Sequence, residues 1–452
     1  MLTVAYLANQ FPSPVEPYVL EEIEELRRRG VRVVAGSVRK VRAEKEGSPN
    51  PCAPEVVLQP LRGIVLVRAA WLCLRKWKRL APVVGRIFSR GTEGPLERLK
   101  ALLHTFLGAC YAVLLEPHGI RHIHVHHGYF GSWIASVAAR LLGTGFSMTL
   151  HGSDLLLRGA RLDVKLESCA FCLTVSEYNR QYILERYPGV ESEKVIVTRL
   201  GVELPERLPA TTLEPRKAYK EFTILAVGRL HAVKDHAFLV RACAQLRARN
   251  VRFHCWIAGE GPERRKLESM IRKLGLDRQV TLLGYVPREQ MDSLYDRGNV
   301  VVLTSRSEGI PLVLMEAMAR GKMVLAPAIT GIPELVTTGK TGYLYEPGSM
   351  GDFVARLLFM RSLISLSDHQ RPYPATLSAA RPVDWVRHAA RVQIRHNYNR
   401  RKNLQAFGDL FLQRLIPQFA PQIVPQIAPQ SEPQVEPQTP SVPHENFVLQ
   451  QI

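Results

Sequence analysis

The chain has 452 residues, more than one ordinary core accommodates, so two domains are expected. Hydrophobic residues make up 46% and charged residues 22%, a globular balance rather than that of a disordered chain. The formal charge of +19, from 60 basic against 41 acidic side chains, calls for an anionic partner: nucleic acid, an anionic membrane or a phosphorylated substrate.

The N-terminus, Met1 to Leu7, lacks the basic region and long apolar core of a signal peptide and reads as a first strand. A Pro-broken loop from Asn9 to Pro17 leads into a helix that ends at Arg27-Arg28-Arg29-Gly30, with basic residues at the negative end of the helix dipole and glycine at the stop. Val31 to Ser37 reads as the next strand, which makes a βαβ unit and hence a parallel sheet. Residues 38–60 are charged and Pro-rich and read as a loop.

Leu61 to Arg90 mixes apolar blocks with Arg68, Arg75, Lys76, Lys78, Arg79, Arg86 and Arg90, plus Trp71 and Trp77. It reads either as an interfacial helix or as a helix that covers the sheet with both tryptophans in the core. A helix over Leu96 to Leu115, a His-rich strand over Arg121 to His126, a helix over Ser132 to Leu142 and strands at Phe146–Leu150, Cys172–Ser176 and Val195–Thr198 complete this half. The seven cysteines form no disulfide framework, and Cys169-x-x-Cys172 lacks the second ligand pair of a structural zinc site. No run of about eighteen uncharged apolar residues occurs, so a spanning helix is not expected. A reducing, cytoplasmic location follows as the expectation.

Residues 204–220 lack periodicity and read as a linker between an N-terminal domain (1–203) and a C-terminal one (221–384). In the second, strands at Thr223–Val227, Arg252–Ala258, Val280–Leu283, Val300–Leu303 and Met323–Ala326 alternate with helices at Ala237–Arg249, Glu263–Leu274, Arg288–Arg297 and Pro311–Arg320, a doubly wound pattern. Residues 385–416 read as a closing helix. From Pro417 to the end the repeats PQFA, PQIV, PQIA, PQSE, PQVE and PQTP forbid a helix and read as a disordered tail.

The chemistry concentrates after two strands of the second domain. Thr304-Ser305-Arg306-Ser307-Glu308-Gly309-Ile310-Pro311-Leu312 runs from a strand into a helix whose first residue is expected to be Pro311. Backbone N–H groups around Gly309 to Leu312 then face the sheet's C-terminal edge, where α/β folds bind anions. Glu308 and Glu316, eight residues apart, lie within about 80° of each other around a helix and suit sugar hydroxyls, which need acceptors. Gly228-Arg229-Leu230-His231-Ala232-Val233-Lys234-Asp235 follows the domain's first strand, so that Arg229 and Lys234 can converge on a diphosphate leaving group.

Together these stretches resemble the retaining glycosyltransferases of family 4, which have the GT-B architecture: two Rossmann-like domains facing across a cleft. The Glu-x7-Glu signature is met by Glu308 and Glu316, G-R-L-x-x-x-K-D by Gly228 to Asp235, G-x-G-P by Gly259 to Pro262 and G-x-P-E by Gly331 to Glu334. The N-terminal half resembles members that build exopolysaccharides such as colanic acid, through Phe11-Pro12-Ser13-Pro14-Val15-Glu16, His122 to His126 and Thr149 to Asp154. Pro17 departs from the usual Thr.

The resemblance implies that Arg229 and Lys234 hold the donor diphosphate and Glu316 the ribose, with Glu308 beside the transferred sugar. It also implies that His151 reaches that sugar from across the cleft and that Gly309, Ile310, Pro311 and Leu312 add donor contacts. Glu16, His126, His127 and Asp154 are acceptor-side candidates. No cofactor or metal is implied, and no D-x-D occurs. His122, His124 and His126 alternate onto one strand face as a zinc triad would, but the resemblance accounts for them without metal.

The expected partners are a nucleotide-sugar donor and a glycan or lipid-linked acceptor, with peripheral contact to an anionic membrane through residues 61–90. No groove-reading module for nucleic acid is visible. A nucleotide-sugar epimerase of the same architecture and a non-catalytic scaffold are the competing readings.

Overall fold

Alternating short apolar strands and amphipathic helices build the chain, and the first βαβ unit shows how. In this computed structural model, which describes residues 2–13, 16–39, 53–89, 94–157, 159, 161–205, 222–368 and 382–419, strand β1 (Thr3–Gln10) leads to helix α1 (Pro17–Arg28) and strand β2 (Arg32–Arg39). Val19, Ile23 and Leu26 of α1 are buried at helical spacing. The helix stops where Gly30, at φ 80°, lets Val31 N–H reach the Leu26 carbonyl at 3.1 Å. The strands then pair in parallel, Val4 beside Val33.

The first half continues with β3 (Val56–Gln59), α2 (Gly63–Arg75), α3 (Trp77–Ser89), α4 (Pro95–Leu115), β4 (His122–His126), α5 (Phe130–Leu142), β5 (Gly145–Leu150), α6 (Ser153–Leu156), α7 (Leu162–Ser168), β6 (Phe171–Thr174), α8 (Glu177–Arg186) and β7 (Val195–Val197). The second contains β8 (Phe222–Val227), α9 (His236–Ala248), β9 (Phe253–Ala258), α10 (Arg264–Lys273), β10 (Val280–Gly284), α11 (Arg288–Arg297), β11 (Val300–Val302), α12 (Leu312–Ala319), β12 (Met323–Pro327), α13 (Ile332–Leu335), β13 (Tyr343–Tyr345) and α14 (Met350–Asp368). Helices α15 (Pro382–Asn397) and α16 (Arg400–Phe419) follow.

Two parallel sheets result, ordered β3-β2-β1-β4-β5-β6-β7 and β10-β9-β8-β11-β12-β13. In each, the strand order reverses beside the first strand, at β1/β4 and β8/β11, the switch point where doubly wound folds bind ligands. Both sheets are buried on their two faces, which is why β8 and β11 read as nearly continuous apolar runs.

Several expectations need correction. Residues 38–60, read as loop, contain β3, a four-residue edge strand too short for its alternation to register. The segment from Leu61 is two helices rather than one, and Trp71 and Trp77 lie outside the core, each more than half exposed. Helix α12 starts one residue late: Pro311 keeps an extended ψ of 117° and is the cap, its carbonyl accepting Leu314 N–H at 3.1 Å.

Pro417 falls inside α16, which continues to Phe419; a proline in the last turn removes one N–H without stopping the helix there. Residues 206–220 of the expected linker and 420–452 of the expected tail lie outside the described residues. One helical segment, Pro95–His118, is long and apolar enough to cross a membrane, with 56% of its apolar window buried inside the molecule.

The described residues up to Leu410 cluster into one unit, and the segment from Phe411 into another. Within the first unit the two sheets are tied at the chain crossing after α15. There Val202 N–H meets the Tyr398 carbonyl at 2.9 Å, and Arg400 pairs with Glu21 at 2.7 Å and Glu203 at 2.5 Å. At a second tie, Glu334 accepts the Tyr178 and Glu177 N–H groups at 2.7 and 3.1 Å, so a carboxylate of the second half caps α8 of the first.

Candidate active site

On the second sheet the site begins where β8 ends. The loop after it, Gly228 to Lys234, rests on the G-x-G-P turn. A Cβ on Gly259 would run into the Gly228 carbonyl and one on Gly261 into that of Leu230, while Leu230 N–H bonds the Glu260 carbonyl at 2.8 Å. The glycines of that motif therefore shape the neighbouring loop. Asp235, at φ 44°, caps α9 and holds Arg306 at 2.8 Å. The Thr304 hydroxyl donates to the Lys234 carbonyl at 2.9 Å, and Arg306 N–H to that of Val233 at 2.8 Å.

This lacing sets Lys234 Nζ 2.5 Å from Glu308 Oε1, a largely buried pair. Thr330 Oγ1 fixes the Glu308 backbone at 2.6 Å. Glu316 lies on α12, where the Tyr295 hydroxyl donates to its Oε2 at 2.6 Å. It faces a cavity of about 710 Å³ that Leu312, Tyr285, Arg288 and Arg320 also line.

On the first sheet the edge is made by histidines. Asp154 is buried and gathers backbone N–H groups, Gly128 and Gly152 at 2.8 Å and His151 at 3.1 Å. His127, at φ 70°, sits 3.0 Å from Glu16 and 3.7 Å from Asp154. Burial disfavours its charge, but the hydrogen bonds and charges of Asp154 and Glu16 outweigh that and raise its pKa to about 10. His127 is thus an imidazolium between two carboxylates.

His151 sits 4.6 Å from it, ring to ring, and is held well below the usual histidine range by burial and then by the charge of His127. His122 and His124 are buried neutral rings: burial lowers His122 to about 3, and Ser147 and Thr149 bond His124 at 2.7 and 3.0 Å.

The two edges meet backbone to backbone. A Cβ on Gly309 would collide with the His151 carbonyl oxygen, and one on Gly331 with the Gly309 carbonyl. The structure therefore brings Lys234, Glu308, Gly309 and His151 together. Ile310 and Pro311 follow in the same loop, Glu316 and Leu312 line the larger cavity, and Arg229 lines a second cavity of about 620 Å³ with Tyr129, Ser153, Lys165 and His231.

Two acceptor-side candidates sit differently from expectation. The His126 and Asp154 side chains are buried, His126 between Glu22 and His151 and Asp154 beneath the N–H groups of Gly128 and Gly152. Sequence reasoning missed Glu22 and Tyr18 of α1. Tyr18 stacks on His151 at 4.6 Å, and Glu22 bonds His126 at 3.0 Å. The available signal was an acidic residue interrupting the apolar stripe Val19, Ile23, Leu26. Glu22, His124 and His126 also offer ligand atoms within 4.8 Å of one another, as a metal site would, and those atoms are engaged by Tyr6, Ser147, Thr149 and His151.

Residues 213–369 match the family described as Glycosyl transferases group 1. The chain carries a group 1 glycosyltransferase domain. That domain contains Arg229, Lys234, Glu308 and Glu316.

The chain is 34% identical over 181 residues to the putative colanic acid biosynthesis glycosyltransferase WcaL of Escherichia coli K12, covering 37% of this chain and 42% of WcaL. It is 30% identical over 248 residues to the amylovoran biosynthesis glycosyltransferase AmsK of Erwinia amylovora, covering 52% and 60%. The match thus spans about two-fifths to three-fifths of these curated relatives.

Among solved structures, sucrose-phosphate synthase from Thermosynechococcus elongatus superposes with a TM-score of 0.69 at 17% identity, over 92% of this chain and all of that one. Anabaena HepE in complex with UDP and glucose gives 0.62 at 17% identity, over 91% of this chain and 100% of that one. These likenesses show the fold, which is GT-B.

The His127 triad predicts a pH dependence. Its folded pKa lies above the ordinary 6.5, so the stabilisation it contributes is complete below about pH 6.5 and is lost as pH rises towards 10. In urea denaturation, the stability gap between wild type and His127→Gln is expected to shrink over that window. A constant gap would show that the ring is not charged there.

Proposed function

We propose that this protein is a retaining glycosyltransferase that moves a sugar from a nucleotide diphosphate donor to a glycan or lipid-linked acceptor in exopolysaccharide synthesis, at the cytoplasmic face of the membrane. The observation that carries the reading is the Lys234–Glu308 pair at 2.5 Å, set beside the start of α12 and opposite His151. The donor diphosphate would draw Lys234 and Arg229, which offset the charge that develops as the leaving group departs.

The bond from the anomeric carbon to the diphosphate oxygen breaks, and the acceptor oxygen bonds to the same face. The acceptor proton passes to the departing phosphate, giving a glycoside and a nucleoside diphosphate. Two protein cations at the leaving group fill the role that a metal ion has in other transferases. The larger cavity, about 710 Å³ with Glu316 and Tyr285 on its wall, suits a nucleoside. The printed names of WcaL and AmsK support the pathway, and the UDP and glucose of the HepE complex support a uridine donor.

The membrane reading rests on α2 and α4. Ile64, Val67, Trp71 and Leu74 follow at spacings of three and four and are exposed, Trp71 at 58% and Leu74 at 76%, while Val65, Ala69 and Leu72 bury the opposite face. Leu96, Leu99 and Leu103 repeat the pattern on α4. The Arg75 guanidinium lies 5.0 Å over the Trp71 ring and Lys78 is exposed beside Trp77, so an anionic lipid surface fits this face, each nearby cation adding about 1 kcal/mol.

Incubation with UDP-, GDP- and ADP-sugars is expected to release one nucleoside diphosphate selectively. Lys234→Ala should abolish this, and Glu308→Gln should lose turnover while keeping nucleotide binding. Absence of binding and release with the whole panel would refute the reading. Separately, the protein is expected to float with vesicles containing phosphatidylglycerol and not with pure phosphatidylcholine. The doubly substituted Trp71→Ser, Leu74→Ser protein should remain unbound. Equal flotation of that variant would remove α2 from the contact.

A further inference from the structure

One buried polar chain of the first half is left unused by donor binding. A single carboxylate oxygen, Oε2 of the buried Glu22, accepts the Tyr6 hydroxyl at 3.0 Å and meets His126 Nε2 at 3.0 Å. The other nitrogen of that ring, Nδ1, lies 3.0 Å from His151 Nε2. Tyr18 stacks on His151 and packs against His126 at 5.7 Å, so neither ring is free to turn.

We propose that Glu22 and His126 are positioning residues that set which nitrogen of His151 carries the proton, and so whether that ring accepts or donates a hydrogen bond in the cleft. The inference rests on the proposed role of His151 beside the transferred sugar.

The argument runs along the chain of atoms. An ionised carboxylate only accepts, so the proton between Glu22 and His126 belongs to His126 Nε2. In the proposed relay His126 carries this one proton, so its Nδ1 accepts and His151 Nε2 donates across the 3.0 Å between them. His151 is a neutral ring, kept so by burial and by the imidazolium of His127. Its Nδ1, for which no partner occurs among the described residues, is therefore an acceptor. An acceptor suits a sugar hydroxyl, whereas a donor would attract the phosphate and compete with Lys234. A carboxylate two hydrogen bonds removed from His151 thus selects the contact, as outer groups do for metal-bound histidines.

Glu22→Gln preserves the shape and reverses the logic. With the glutamine NH2 in place of Oε2 and the Tyr6 hydroxyl turned to accept from it, the amide donates to His126 Nε2, which moves the His126 proton to Nδ1 and leaves His151 Nε2 as acceptor and Nδ1 as donor. The test is two-bond 1H–15N NMR of the histidine rings in wild type and Glu22→Gln, with thermal melting to confirm that the variant is folded. The wild type is expected to show His151 protonated at Nε2 and the variant at Nδ1. With the donor identified by nucleotide release, kcat in Glu22→Gln should fall at least about tenfold while the donor KM stays within about twofold.

An unchanged His151 tautomer in the folded variant would overturn the proposal, as would an unchanged kcat in an active enzyme. Should the variant not fold, Tyr6→Phe, which removes the hydroxyl that holds Glu22, is measured the same way. Mixed tautomers at His151 are expected there, and a pure Nε2–H form would overturn the proposal. If no donor is turned over by wild type, the transferase reading fails, while the tautomer comparison still decides the coupling.

Discussion

The near-contact between the His151 carbonyl and Gly309 governs the rest of the site. Two Rossmann-like sheets have separate cores, and only short loops can carry chemistry between them. At this point two glycines, Gly152 and Gly309, stand where any side chain would collide with backbone of the facing loop, and Gly331 gives the same room to the Gly309 carbonyl within its own half. Asn179 Nδ2 holds the His151 carbonyl at 3.4 Å, and Glu334 caps α8 alongside. The backbones approach so closely that His151 of one half lies against the loop of the Lys234–Glu308 pair of the other. A larger residue at Gly309 would separate the halves and uncouple the two edges.

Electrostatics divides the labour between those edges. The second half contributes permanent cations, Arg229 and Lys234, with Glu308 balancing Lys234. In the first half the imidazolium of His127 is compensated by Glu16 and Asp154, and burial keeps His122, His124 and His151 neutral. Neutral rings bonded to Ser147 and Thr149 avoid the cost of buried charge while leaving each nitrogen with a defined role. That economy makes a tautomer, rather than a titration, the variable available to the sheet edge.

The surplus positive charge acquires a location in this fold. Part of it flanks the exposed apolar face of α2 and α4, and part lines the smaller cavity, where Lys100, Arg161 and Arg229 stand with Glu97. Both surfaces suit a negatively charged ligand.

The periodicities of strands and helices, the Glu-x7-Glu and G-R-L-x-x-x-K-D spacings and the doubly wound order were legible in the sequence, because each is a local property of consecutive residues. Helix boundaries at Pro311 and Pro417 and the edge strand Val56–Gln59 were not, since a cap conformation, a last-turn proline and a four-residue edge depend on neighbours outside the window. The sequence by itself determined which residues carry charge and which edge of each sheet they reach. Only the tertiary structure decided that Glu22 stands behind His126, that Asp154 is an anchor for backbone N–H groups, and that Gly309 meets His151. The contacts of Asp154 with Gly128, Glu22 with His126 and Gly309 with His151 join residues about 26, 104 and 158 positions apart, and burial, not sequence distance, sets what each of them touches.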